Sequence, residues 1–108
     1  GCGGCRDKGK RPLMGAAAGQ YADLTVLTSD NPRTEDPLAI IRDILPGLSG
    51  PHLVIPDRRE AIFRALDLAR PGDTVILCGK GHETTQETGG HRLPMDERQI
   101  IAEYINGS

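Results

Sequence analysis

Four consecutive residues, Asp30-Asn31-Pro32-Arg33, place a carboxylate, a carboxamide and a guanidinium side by side. Asp30 can hold an ammonium group, Asn31 can donate and accept, and Arg33 can grip a carboxylate through two parallel hydrogen bonds. Such a set suits a ligand carrying both signs, such as an amino acid. The same residues also suit a plain turn, in which Asp30 and Asn31 bond their own backbone and Arg33 is a solvated surface charge. Just before them runs Leu24-Thr25-Val26-Leu27-Thr28, rich in β-branched and aliphatic residues, which reads as a buried parallel strand. Pro32 cannot donate to a ladder and drives Asn31 into an extended conformation, so the strand stops there. The polar set therefore lies just past a strand end, where ligands bind in open α/β sheets.

The elements that must position this set follow from the rest of the pattern. Gly1 to Arg11 is a basic, glycine-rich loop, and Pro12 fits the first turn of a helix running to about Tyr21. Asp23–Thr28 is the strand and Ser29–Glu35 its loop. Asp36 is placed as an N-cap with Pro37 at the first helical position, and Ile40, Ile41, Ile44, Leu45 and Leu48 give one apolar face. Gly47 and Gly50 interrupt that helix before a second strand, His52–Ile55. Asp57 caps a helix striped by Ala61, Ile62, Ala65, Leu66 and Ala69. Pro71-Gly72-Asp73 is a turn, Thr74–Cys78 a third strand, and Gly79-Lys80-Gly81-His82-Glu83 a loop. Thr84–Met95 reads as a hairpin about Gly89-Gly90. Asp96 with Gln99 forms a capping box opening a final helix to about Tyr104. This alternation predicts an α/β fold: a Rossmann-like, mostly parallel sheet flanked by helices, with a C-terminal hairpin and final helix.

That topology predicts that three loops, Gly1–Arg11, Ser29–Glu35 and Gly79–Glu83, open on one sheet edge. Together they carry Arg6, Lys8, Lys10, Arg11, Asp30, Asn31, Arg33, Lys80, His82 and Glu83. Glycines 79 and 81 let backbone approach a ligand, and Glu83 offers a second carboxylate for an ammonium. The alternative is that these groups pair with one another at a solvated rim.

Composition bounds the partners. With 108 residues the chain is one domain. A net charge of -2 with few aromatics and no Trp does not suggest a nucleic-acid or anionic-membrane surface. No apolar run is long enough to span a bilayer. Three cysteines, an odd number, do not make a secreted disulfide framework and fit a cytoplasmic setting. Gly1-Cys2-Gly3-Gly4 reads as the loop after a strand, so the chain is expected to be a fragment of a longer protein in which that N-terminal strand is missing.

Two further patterns compete for the glycine-rich loop. Gly4 to Arg11 nearly matches the phosphate-binding G-x4-G-K-[ST], but Arg11 stands where the magnesium-binding hydroxyl belongs. Cys2, Cys5, Cys78 and His82 resemble a Cys3His zinc set, which gives an alternative reading as a small zinc-binding or interaction module. Against it, Cys78 ends an apolar strand, where cysteine packs as a small hydrophobe.

Taken in order, Gly-Cys-Gly-Gly-x-Arg-Asp-x-Gly-Lys-Arg-Pro-x-Met-Gly, Thr-Ser-Asp-Asn-Pro-Arg-x-Glu-Asp-Pro, Arg-Pro-Gly-Asp and Gly-Lys-Gly-His-Glu resemble the C-terminal domain of the Mur ligases. Within them the motifs resemble the MurE type, which adds the third residue of the peptidoglycan stem peptide, and the Asp-Asn-Pro-Arg form resembles members that add meso-diaminopimelate rather than lysine. The resemblance covers nearly the whole chain. It implies residues 1–108 as the amino-acid-binding domain of a three-domain, ATP-dependent amide-bond ligase acting on UDP-MurNAc-L-Ala-D-Glu. In such an enzyme the D-Glu carboxylate is phosphorylated, and the incoming amine attacks the acyl phosphate. By motif, the implied substrate contacts are Arg6, Asp30, Asn31, Pro32, Arg33, Gly79 and Glu83. ATP and Mg2+ are implied for the full-length enzyme, bound mainly by a central domain outside this chain, with no cofactor, catalytic residue or catalysis expected in the fragment alone. Cys5 departs from the Asp usual at its position, and that departure alone creates the Cys-x-x-Cys pair.

Overall fold

A computed structural model describes residues 1, 4, 8–78, 84–88 and 91–107. It is an α/β structure in the order α1 (Lys10–Tyr21), β1 (Thr25–Leu27), α2 (Pro37–Ile44), a 3-10 turn (Leu45–Gly47), β2 (His52–Val54), α3 (Arg58–Leu68), β3 (Thr85–Thr88), β4 (His91–Pro94) and α4 (Glu97–Gly107). β1 and β2 pair in parallel, with Val26 opposite Leu53, and α2 makes the connection between them. β3 and β4 form the antiparallel hairpin, Thr88 opposite His91, with the expected turn glycines 89 and 90 outside the described residues.

Local chemistry accounts for the helix starts. The Asp36 carboxylate accepts from Leu38 N at 3.0 Å, with Pro37 at the first helical position, where its missing N–H costs nothing. Asp57 accepts from Glu60 N at 3.0 Å. α1 begins at Lys10 and ends at Tyr21, which leaves Pro12 in the first turn as expected, where its missing N–H has no intrahelical acceptor to lose. The Asp96 cap forms on Arg98 N at 3.1 Å, but Gln99 does not reach back to complete a capping box. Its amide instead points forward to Glu103 Oε1 at 3.4 Å, the i to i+4 neighbour on the same helix face.

The core sits between β1 and α2. Leu27, Ile40, Ile41 and Ile44 are buried together, with Leu45 and Leu48 packed against them. α1 closes this cluster with a face of small residues. A methyl at Gly15 would meet Ile44 O, and one at Gly47 would overlap Pro12 O, so both glycines mark backbone-to-backbone approach. Across the molecule, Ala61 and Ile62 of α3 and Ile100 of α4 are buried.

The sheet is smaller than the sequence predicts. Thr74–Cys78 carries no ladder, and among the described residues the parallel sheet has two strands rather than three or more. The segment keeps the alternation expected of a strand, with Val75 and Leu77 half-buried and Thr74, Ile76 and Cys78 exposed. Alternation specifies which face is buried, but a strand also needs a neighbour for its N–H and C=O groups. Here the Cys78 carbonyl is taken by a side chain, Arg58, instead of a ladder. The preceding turn does form: Asp73 N donates to Arg70 O at 2.9 Å, with Pro71 and Gly72 at its centre and Gly72 at φ 93°.

Candidate functional site

The segment from Thr28 to Pro32 leaves the end of β1 and is buried throughout, with Asp30 at 9% and Asn31 at 7% exposure. The sequence expectation of a polar set displayed past the strand end is thus met in position but not in openness, since only Arg33 is half-exposed. Burial is possible because the carbonyls of the loop are taken by donors from several neighbouring segments. The hydroxyls of Thr28 and Ser29 donate to Pro56 O at 3.3 and 2.6 Å. Gly4 N donates to Asn31 O at 2.6 Å. Gln86 of β3 donates its side-chain amide to Asp30 O at 2.8 Å. Glu35 N closes the far side on Pro32 O at 3.0 Å.

Arg33 departs from ordinary backbone geometry. Its φ of 56° lies in the left-handed region, where a non-glycine residue is uncommon and mildly strained. The turn throws its guanidinium back over the first loop, where Nη1 donates to Gly4 O at 2.9 Å and approaches Asn31 O at 3.4 Å. The first and second predicted loops are therefore in contact through both Gly4 and Arg33. A methyl on Gly4 would overlap the Pro32 carbonyl, so the first loop can lie against the second only with glycine there.

Two buried guanidiniums fix the ends of this loop. At its far end Arg11 is 1% exposed. It donates to Glu35 through Nη2 at 3.0 Å and Nη1 at 3.2 Å, and to Asp43 through Nη1 at 2.6 Å. The Glu35 hydrogen bonds raise the Arg11 pKa above its ordinary value; burial works against this, and the contact with Asp43 adds to it. This corrects the placing of Arg11 among the cations of the ligand rim: it belongs to the packing between α1 and α2. At the near end Arg58 is 3% exposed, and its guanidinium donates to Ser29 O at 2.9 Å and Cys78 O at 3.0 Å. Its Nε and Nη2 bond Glu97 Oε2 at 3.1 and 2.9 Å. Neither Arg58, Glu97 nor Gln86 stood out in the sequence. Their partners lie 20 to 56 residues away, and the only local hint was a cation at the first residue of a helix, where the dipole disfavours it.

Of the residues expected to touch substrate, the described ones, Asp30, Asn31, Pro32 and Arg33, are brought together beside Gly4. Arg6, Gly79 and Glu83 lie outside the described residues, as do Cys2, Cys5 and His82 of the alternative zinc set. Cys78 is an exposed free thiol, and no group of three or more His, Cys, Asp or Glu suited to a metal occurs among the described residues. No described helix is long and apolar enough to cross a membrane. A separate cleft of about 380 Å³ lies between α3, the foot of the hairpin and α4, but the charges of Arg59 and Glu103 in its lining pair with each other.

Comparison with known proteins follows the same residues. Positions 1–81 match the Mur ligase, glutamate ligase domain. The chain is 55% identical over 108 positions to the UDP-N-acetylmuramoyl-L-alanyl-D-glutamate--2,6-diaminopimelate ligase of Caldanaerobacter subterraneus subsp. tengcongensis, covering 97% of this chain and 22% of that protein. It is 51% identical over 111 positions to the ligase of the same name from Syntrophomonas wolfei, covering 99% of this chain and 23% of that protein. A solved structure of such a ligase superposes with a TM-score of 0.94 at 46% identity, over 99% of this chain and 23% of the other. The chain thus spans less than a quarter of the relatives it matches, and within that span it belongs to the Mur ligase family.

Proposed function

We propose that residues 1–108 are the C-terminal, amino-acid-binding domain of a three-domain, ATP-dependent ligase that joins meso-diaminopimelate to UDP-MurNAc-L-Ala-D-Glu in the cytoplasm, for peptidoglycan synthesis. The observation that carries this reading is Arg33: a half-buried guanidinium on a left-handed residue, held where two loops meet past the end of β1. A fixed cation of this kind suits the distal carboxylate that diaminopimelate has and lysine lacks. Arg33 would exchange its bond to Gly4 O for a bidentate grip on that carboxylate. By motif, Asp30 and Glu83 would hold ammonium groups, Asn31 and Arg6 the remaining polar groups, and Pro32 and Gly79 would shape the backbone around them.

The nucleotide is a different matter. The Gly4–Arg11 loop does not fit a magnesium-dependent phosphate site, because Arg11 replaces the required hydroxyl and is buried on Glu35 and Asp43. ATP and Mg2+ belong to the other domains on this reading. This domain contributes by holding the amine in place for attack on the activated carboxylate, a positioning role.

The test is a titration of the chain by NMR with meso-diaminopimelate and, in parallel, L-lysine. With lysine, Arg33 keeps its carbonyl partners but gains no charge-assisted pair, a difference of about 1–3 kcal/mol, so lysine should bind roughly tenfold more weakly or worse. Saturable shifts at Asn31 and Arg33 with diaminopimelate are expected. Equal shifts with both ligands would overturn the substrate assignment.

A further inference from the structure

We propose that Arg58 is a positioning residue that fixes the backbone immediately ahead of the two ligand-bearing segments. The inference rests on the preceding reading that Asp30–Arg33 and the Gly79–Glu83 motif hold the amino acid. Arg58 bonds the carbonyl of Ser29, the residue before Asp30, and the carbonyl of Cys78, the residue before Gly79. One planar cation therefore grips the last backbone carbonyl ahead of each segment. The guanidinium fork is rigid, so its own width fixes the separation of the two carbonyls. Glu97 of α4 takes Nε and Nη2 and holds the plane of the fork in place.

The alternative is a plain stability device, and three features argue against it. Arg58 is the first residue of α3, where the helix dipole disfavours a cation. A residue selected only to start this helix would be neutral or acidic. At 3% exposure the charge has given up its hydration, and a well-packed apolar replacement of the whole Arg58–Glu97 pair often serves stability as well or better. Lastly, two of its four hydrogen bonds go to the backbone flanking the substrate motifs rather than to a helix or strand. A local rule broken in this way is expected at functional sites.

The effect should fall on one substrate. Misplacement by about 1 Å of groups that hold a reactant can cost roughly a hundredfold in rate or binding. In the full-length ligase, Arg58→Met should raise KM for diaminopimelate roughly tenfold or more while KM for ATP stays within about twofold. Arg58→Lys, able to reach one carbonyl but not to fork between two, should recover part of the loss. Steady-state kinetics with each substrate varied in turn, alongside thermal melting, give these readouts. An unchanged KM for diaminopimelate would overturn the proposal. So would a parallel rise in both KM values with no rescue by lysine, which is the mark of general unfolding. If Arg58→Met does not fold, Arg58→Lys and Glu97→Gln carry the same comparison, and an unaltered diaminopimelate KM in both overturns it. A wild-type enzyme with no saturable dependence on diaminopimelate would overturn the substrate reading and this inference with it. Normal wild-type dependence with unaffected Arg58 variants would remove the positioning role alone.

Discussion

The loop between β1 and α2 depends on Arg11, and Arg11→Met tests how much. The side chain is 1% exposed, against 19% for Glu35 and 41% for Asp43. Removing one member of a buried pair costs about 3–5 kcal/mol, because the remaining charge is left in a poor solvent. Glu35 retains some water, so the lower end applies, about 3 kcal/mol for Arg11→Met. Asp43 reaches solvent over more than a third of its side chain, and Asp43→Asn should cost no more than about 1 kcal/mol despite its shorter contact. Glu35→Gln keeps an acceptor but loses a charge-assisted pair, about 2 kcal/mol. The double variant Arg11→Met/Glu35→Gln should then be less damaging than the sum, with a coupling of roughly 2 kcal/mol. A domain of this size is stable by only about 5–15 kcal/mol, so a loss of 3 is easily measured. The chain has no Trp, which makes far-ultraviolet circular dichroism in urea the natural assay. A loss below about 1 kcal/mol for Arg11→Met would refute the reasoning and return Arg11 to the solvated rim. An Asp43→Asn cost equal to that of Arg11→Met would show that exposure had been given too much weight.

Two other outcomes follow from the geometry. Gly4→Ala would drive a methyl into the Pro32 carbonyl and so push the first loop off the second; it should cost about 1–3 kcal/mol and weaken amino-acid binding, whereas Gly107→Ala, with nothing within 4 Å, should do neither when both are compared by urea denaturation and ligand titration. Tyr104 donates to Asp67 at 2.6 Å and packs edge-on against Phe63, and that hydrogen bond raises its pKa above the ordinary tyrosine range. Because the folded value lies above the unfolded one, the contribution is complete below the unfolded pKa and is lost as pH rises through the folded one. Absorbance titration near 295 nm should show Tyr104 ionising late, and Asp67→Asn should remove the delay; an unchanged titration would exclude the hydrogen bond as its cause.

What could be read from the sequence was local. Asp36-Pro37 and Asp57 announced α2 and α3, and the 40, 41, 44 stripe named the core residues, because caps and apolar periodicity act within a turn or two. The Asp-Asn-Pro-Arg segment was placed correctly past β1, since proline at a strand end has a fixed meaning. Thr74–Cys78 went wrong for the complementary reason. Its alternation is real, but a ladder is a property of two segments, and no window of sequence contains the second one. The roles of Arg11 and Arg58 were hidden by the same distance. Each looked like one of many surface cations, and only the acids brought to them from 24 to 39 residues away distinguish them.

These two arginines also explain how a loop rich in polar groups can be rigid before any ligand arrives. A free loop that ordered on binding would lose about 1–2 kcal/mol per residue in backbone entropy, which no single carboxylate contact could offset. Here the cost is met on folding: Arg58 holds the backbone at Ser29, Gln86 at Asp30 and Gly4 at Asn31, and Arg11 holds the Glu35 side chain. Arg33 keeps a half-exposed charge, on a backbone conformation that the surrounding contacts maintain against mild strain. On the proposed reading, this rigidity is what makes selection between diaminopimelate and lysine possible. A pliable loop could remodel around lysine's uncharged end and so reduce the difference between the two ligands. A loop fixed at both ends cannot do so freely, and the mismatch then appears in the binding constant.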